Sequence, residues 1–239
     1  MRKSYKKYSC IEEPPVPNLL FDIGTQKYQL ANLCHQEITM NRPRILRPNE
    51  SYTFAKYFEL AYDIEDILAD LDCGFDRALL TLPRTNQAIP ELHDLHQQIL
   101  DGIQYVSITS EQARREFLIA PIIRQICRQT QKRVRVEYPI TVNDWLKGTL
   151  DYYFQDLLVI EAKRDNLDNG FTQLAVELIA LDQWINSDTP ILYGAVTTGN
   201  DWRFGEFHRQ QRQIIQDLKL YRVPEELEIL ISILIGLLS

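Results

Sequence analysis

From Gly148 to Phe154 a glycine-led run with apolar alternation is followed, after the polar pair Gln155 and Asp156, by the apolar run Leu157-Leu158-Val159-Ile160 and then Glu161-Ala162-Lys163. Two such runs around a short polar break predict a β-hairpin. The second run is apolar on both faces of a strand, as expected of a central strand covered on both sides. Further on, Leu174, Leu178, Leu181 and Ile185 recur at helical spacing and predict a helix over 171–186. Upstream, a helix is expected from about Ser110 to Gln129, capped by Thr109 or Ser110 and kinked at Pro121. A strand follows, on which Arg133, Arg135 and Glu137 alternate with Val134, Val136 and Tyr138.

Beyond the helix at 171–186, Pro190 to Thr198 and Asp201 to Phe207 read as two strands joined by a Gly199-Asn200 turn. A helix is expected over 208–221, and the apolar run Leu227 to Leu238 after Pro224-Glu225-Glu226 predicts a last helix that either closes the core or forms a homodimer contact. That run is too short to span a bilayer, so no membrane association is expected. Residues 38–108 carry two expected helices, near 64–71 and 91–103, and a strand near 78–82. Cys10 to Asn18, with Pro14, Pro15 and Pro17, reads as an extended linker or arm.

Alternation puts Glu161 and Lys163 on one side of their strand, and hairpin pairing brings Asp151 within reach of both. Two carboxylates beside a lysine suit a hard divalent cation, Mg²⁺ or Mn²⁺, which binds through one or two carboxylates plus substrate phosphate. Lys163 would orient or deprotonate a water, or steady charge on the phosphate. The same residues also make a plain ion pair on an exposed sheet face, the commoner outcome for an isolated Glu-x-Lys. Glu116 shares a 3.6-residue face with Ala113, Ala120, Ile123 and Cys127, where an acid needs a partner: a metal, Arg124 or Lys163. Gln173 and Glu177 lie one turn apart beside the core stripe, either facing the site or solvated.

Together, the element order and the residues Gly148-Thr-Leu-Asp151, Leu-Val-Ile-Glu161-Ala-Lys163-Arg and Gly170-Phe-Thr-Gln173 resemble the PD-(D/E)xK nuclease superfamily. Within it the match is to the nuclease segment of type I restriction enzyme motor subunits and to RecB-like nucleases, over Thr109 to Phe207. The resemblance implies an α/β fold with a restriction endonuclease-like core, α-β-β-β-α-β, in which a mixed central sheet is flanked by helices. That core would occupy 109–239, behind an N-terminal α+β extension, 1–108, packed on it.

The resemblance further implies that Asp151, Glu161, the Ala162 carbonyl and Glu116 hold Mg²⁺ or Mn²⁺, that Lys163 is the catalytic lysine, and that Gln173 supports the site and contacts substrate. The implied activity is endonucleolytic or exonucleolytic hydrolysis of DNA, restriction-like or repair-like. The alternative is a catalytically silent nuclease fold serving as a nucleic-acid-binding or assembly module. Leu150 precedes Asp151 where the family's name has proline, and Glu177 stands where RecB-like sequences place an aromatic.

Composition changes this picture little. The 239 residues are 45% hydrophobic and 25% charged, an ordinary globular balance, and the net charge of -7 argues against nonspecific coating of nucleic acid. Basic residues nonetheless cluster at Arg114, Arg115, Arg124, Arg128, Lys132, Arg133 and Arg135. They would either track phosphates, Arg114, Arg115, Arg133 and Arg135 first, or form a solvated helix face and sheet edge. The four cysteines lack zinc spacing and read as free thiols of a reducing, cytoplasmic setting, and His93 and His96 read as surface residues. The loop after Lys163 fails as a calcium site because Leu167 replaces an oxygen ligand. No P-loop or helicase motif is present, so a stand-alone nuclease-like protein is expected.

Overall fold

The computed structural model describes residues 43–155, 158–162 and 166–239, with backbone alone at 158–162. Contacts divide the chain into Met1–Pro43 and a second unit, Arg44–Ser239. Its elements are helices α1 (Phe54–Glu59) and α2 (Ile64–Ala69), strand β1 (Gly74–Ala78) and helix α3 (Leu92–Tyr105). A helical run follows: α4 (Glu111–Arg114), a π turn (Arg115–Ile119) and α5 (Ala120–Thr130). Strands β2 (Val134–Thr141), β3 (Lys147–Phe154) and β4 (Leu158–Ala162) lead into helix α6 (Leu167–Trp184). The chain then adds β5 (Ile191–Thr197), β6 (Asp201–His208), β7 (Gln213–Asp217), β8 (Tyr221–Arg222) and α7 (Leu227–Leu237).

The eight strands form one mixed sheet, ordered β1-β7-β6-β5-β4-β3-β2, with β8 on β6. The hairpin expected between Gly148 and Ala162 is β3–β4, paired Tyr152↔Ile160, Tyr153↔Val159 and Phe154↔Leu158. β4 and β5 run parallel, which requires a crossover, and α6 supplies it. The Gly199-Asn200 turn joins β5 to β6 as expected, with Gly199 at φ 96° and no room for a Cβ, which would lie 2.8 Å from Leu118 Cδ1.

Helices cover both faces of the sheet, so the molecule is a mixed α/β layer structure with two cores. Leu118, Ile122 and Ile126 of the helical run, Ile99 of α3, and Leu230 and Leu234 of α7 pack on Tyr152, Phe154, Trp202 and Phe204. On the opposite face, Phe54 and Tyr57 of α1, Ile67 and Leu68 of α2, and Phe171, Leu174 and Leu178 of α6 meet Tyr153, Val196, Phe207 and Ile214. Each fully buried aliphatic side chain contributes about 1.5–3 kcal/mol. The last helix, α7, closes the first core with Leu227, Leu230, Ile231, Ile233, Leu234, Ile235 and Leu237 buried. No helix among the described residues is long and apolar enough to cross a membrane.

Some sequence expectations are corrected. Residues 213–217 form strand β7 instead of part of a helix over 208–221, because they fill the slot between β6 and β1 and pair with both. The strand placed at 78–82 is β1, ending at Ala78; beyond it the Leu80 amide bonds the Asp217 side chain at 3.3 Å. Asp70, at the end of α2, accepts the Ile45 and Leu46 amides at 2.6 and 2.9 Å and so ties that segment to α2. The helix expected over 171–186 begins earlier, at Leu167, because Asn166 Oδ1 accepts the Asp168 and Asn169 amides at 3.0 Å each.

Two stability predictions follow from the second core. A Cβ at Gly205 would lie 2.6 Å from Cζ of the fully buried Phe171. Gly205→Ala is therefore expected to lower unfolding free energy by about 1–3 kcal/mol in a urea titration. Burial also pushes the Cys73 thiol from 9.0 up to about 11 and raises the Tyr57 hydroxyl, which donates to the Trp145 carbonyl at 2.8 Å. A folded-state pKa above the unfolded one gives stability that is complete below pH 9.0 and lost as pH rises towards about 11. Unfolding midpoints measured from pH 8 to 11 should fall across that window, and Cys73→Ala should flatten part of the decline.

Candidate functional site

β3 and β4 position the expected acids through register. Continuing Tyr152↔Ile160 by one residue sets Asp151 opposite Glu161, at cross-strand spacing of about 5 Å. Glu161 pairs in turn with Val196 on β5, and Val196 with Arg203 on β6, so one row crosses the sheet near the carboxyl ends of the parallel strands. The opposite neighbour of Asp151 is Glu137 on β2, by continuation of Val136↔Tyr152 and Tyr138↔Leu150.

Regular strand geometry breaks at this row. Leu150 and Tyr153 pack in one core, whereas Tyr152 and Phe154 pack in the other, so strict alternation fails between Leu150 and Tyr152. Across the ladder Glu137 has φ 51°, in the left-handed region that non-glycine residues seldom occupy. The same break leaves Val136 exposed, against the apolar face expected for it, while Tyr138 stacks on Tyr153 at 5.4 Å.

The carboxylate of Asp151 is buried at 8% exposure and receives a hydrogen bond from Arg115 Nη2. Arg115 also reaches Glu111 at 3.4 Å and Glu137 at 3.6 Å. Burial most strongly disfavours its charge, but Asp151 and Glu111 with the neighbouring Tyr152 together offset that and hold the guanidinium above its ordinary pKa. Arg114, the residue before it, donates from Nη1 to the Thr198 carbonyl at 3.3 Å, just beyond β5. Because β4 lies between β3 and β5, the two guanidinium groups bracket its carboxyl end. Buried Nε atoms of Arg114, Arg115 and Arg203 have no acceptor among the described residues.

The local cause is the π turn. Pro121 has no N–H to return to the preceding turn, and the helix widens ahead of it, the Ala120 amide bonding the Arg115 carbonyl in i→i+5 fashion. One extra residue in the turn rotates what precedes it by about 100° relative to the later stripe. Glu116, expected on the face of Ala120, Ile123 and Cys127, is instead exposed and accepts from Gln112 Nε2 at 3.2 Å, while Arg115 takes the inward position.

The second helix of the site, α6, is buried without interruption from Gly170 to Leu181. Gln173 and Glu177 are therefore core residues, exposed 3% and 0%, joined by Gln173 Nε2 donating to Glu177 Oε1 at 2.8 Å. At the start of α6 Asp168 pairs with Arg203 at 2.5 Å. Sequence reading gave Arg203 no role, since its place in the row depends on two strand registers. Arg135 is exposed on edge strand β2, over the Tyr138 ring at 4.6 Å, and Arg133 is exposed just before that strand. Arg128 bonds Glu91 beside α3, so the basic cluster divides, with Arg114 and Arg115 at the row of acids.

Lys163 and the side chains of Glu161 and Ala162 lie outside the described residues, as do Cys10 and Cys34. Among the described residues no three His, Cys, Asp or Glu side chains gather as metal ligands. His93 and His96 line a cleft of about 300 Å³ with Glu225 and Glu228. No family model matches the chain, and neither a curated protein nor a solved structure matches it.

Arg115 and Glu116, adjacent in sequence, should respond oppositely to substitution. Arg115→Ala removes a partner from buried Asp151 and is expected to cost about 1–2 kcal/mol. Glu116→Ala, at an exposed position, should stay within about 0.5 kcal/mol of wild type. Paired thermal melts at one pH compare them.

Proposed function

We propose that this chain is a divalent-metal-dependent phosphodiesterase acting on DNA, with the restriction endonuclease-like core of the PD-(D/E)xK nucleases. The observation that carries the proposal is the register that sets Asp151 opposite Glu161 on a strand followed by the crossover helix bearing Gln173. Support for the fold comes from the order helical run, β2, β3, β4, α6, β5, with β2–β3–β4 antiparallel and β5 parallel to β4. Ligands commonly bind beyond the carboxyl ends of such parallel strands.

The donor set fits a hard cation: Asp151 is a buried carboxylate that already holds a cationic group, the Arg115 guanidinium. Asp151, Glu161 and the Ala162 carbonyl would hold Mg²⁺ or Mn²⁺, which would offset the negative charge developing on the phosphate oxygens. Exposed Glu116 would join them only by a change of side-chain direction. Hydrolysis forms a bond from the water oxygen to phosphorus, breaks the bond to the leaving oxygen and releases one water proton. Lys163 orients that water and steadies charge on the phosphate. Arg114 and Arg115 bind nonbridging oxygens, as guanidinium forks match phosphate geometry. Gln173, braced by Glu177, supports the site from α6.

The Arg115–Asp151 pair favours a second reading, a catalytically silent nuclease fold that binds nucleic acid or assembles on it. Calorimetric titration of Mn²⁺ and Mg²⁺ into wild type and Asp151→Ala, with cleavage assays on linear, single-stranded and branched DNA, separates the two. The nuclease reading expects metal uptake by wild type only, and a loss of cleavage of about 10³-fold or more in both Asp151→Ala and Lys163→Ala. DNA binding without metal dependence, and no cleavage of any substrate, would establish the silent module.

A further inference from the structure

We propose that Arg115 is an exchangeable counter-ion, neutralising Asp151 while no divalent cation is bound and moving to a nonbridging oxygen of the substrate phosphodiester once a cation takes Asp151. This rests on the nuclease reading of the same site. The geometry points to exchange because Arg115 is shared rather than fixed. Its closest acid is Asp151, and Glu111 and Glu137 stand at 3.4 and 3.6 Å, beyond ordinary hydrogen-bond length but close enough to receive it after a small shift. Its buried Nε has no acceptor among the described residues, so its present position leaves one donor unused.

Arg114 contrasts with it. Bonded to the Thr198 carbonyl, a neutral backbone group at the end of β5, Arg114 stays where it is when charge arrives at Asp151. Arg115 does not, because a divalent cation on Asp151 repels a guanidinium at contact distance. The two guanidinium groups already bracket the carboxyl end of β4. A phosphate arriving there meets one anchored arginine and one just released, each with a spare Nε donor.

Mn²⁺ titration by calorimetry, without DNA, into wild type and Arg115→Gln tests this. With its competitor removed, R115Q should bind Mn²⁺ about tenfold more tightly, while KM for DNA rises in the cleavage assay. A merely structural arginine would leave Mn²⁺ affinity unchanged or weaken it, and either result overturns the exchange. Should R115Q fail to fold, the double variant Glu111→Gln/Glu137→Gln serves instead. It commits Arg115 to Asp151, so Mn²⁺ affinity should fall about tenfold, and an unchanged affinity overturns the proposal. A wild type that takes up no Mn²⁺ with or without DNA sinks the nuclease reading itself, and the exchange with it.

Discussion

β4 is paired along both edges, antiparallel to β3 and parallel to β5, and the two pairings make different demands on the chain. Antiparallel pairing needs only a short turn, whereas parallel pairing needs a crossover long enough to return the chain to the same end of the sheet. α6 is that crossover, and its position against β4, β5 and β6 fixes the second core. The register of β4 also aligns Asp151, Glu161, Val196 and Arg203 across four strands. A one-residue slip would invert every side chain in that row.

Three departures from regular geometry meet at Asp151. The helical run widens into a π turn before Pro121, β2 carries Glu137 at φ 51°, and β3 loses its alternation between Leu150 and Tyr152. Each is a local cost, and together they bring Arg115, Glu137 and Asp151 into contact. Irregular helix turns and unusual backbone angles concentrate where side chains must be aimed. The charge arrangement agrees: acids occupy the β2–β4 end of the row and Arg203 its β6 end, with Arg114 and Arg115 beside the acids, and the buried Nε of each arginine has no acceptor among the described residues.

Burial of α6 gives the polar pair Gln173–Glu177 its meaning. A helix enclosed from Gly170 to Leu181 accepts only polar groups that are hydrogen-bonded, and the amide of Gln173 bonds the Glu177 carboxylate one turn on. Gln173 is thereby held within the buried part of the helix, where a solvated glutamine would sample many orientations.

By itself the sequence determined the elements whose signals are local: the β3–β4 hairpin around Gln155, the Ser110 cap, the Gly199-Asn200 turn, the apolar β4 and the closing helix α7. Each rests on spacing, a cap or a turn residue acting within a few positions. It also set Asp151 opposite Glu161, because hairpin register is fixed by the turn. Only the tertiary structure decided that 213–217 is a strand, since the slot between β1 and β6 exists only once the sheet is assembled. Likewise, Arg115 instead of Glu116 faces the acids because the π turn shifts a face that a uniform 3.6-residue period would assign. Gln173 and Glu177 are core residues because burial depends on what covers a helix, which no periodicity along the helix encodes.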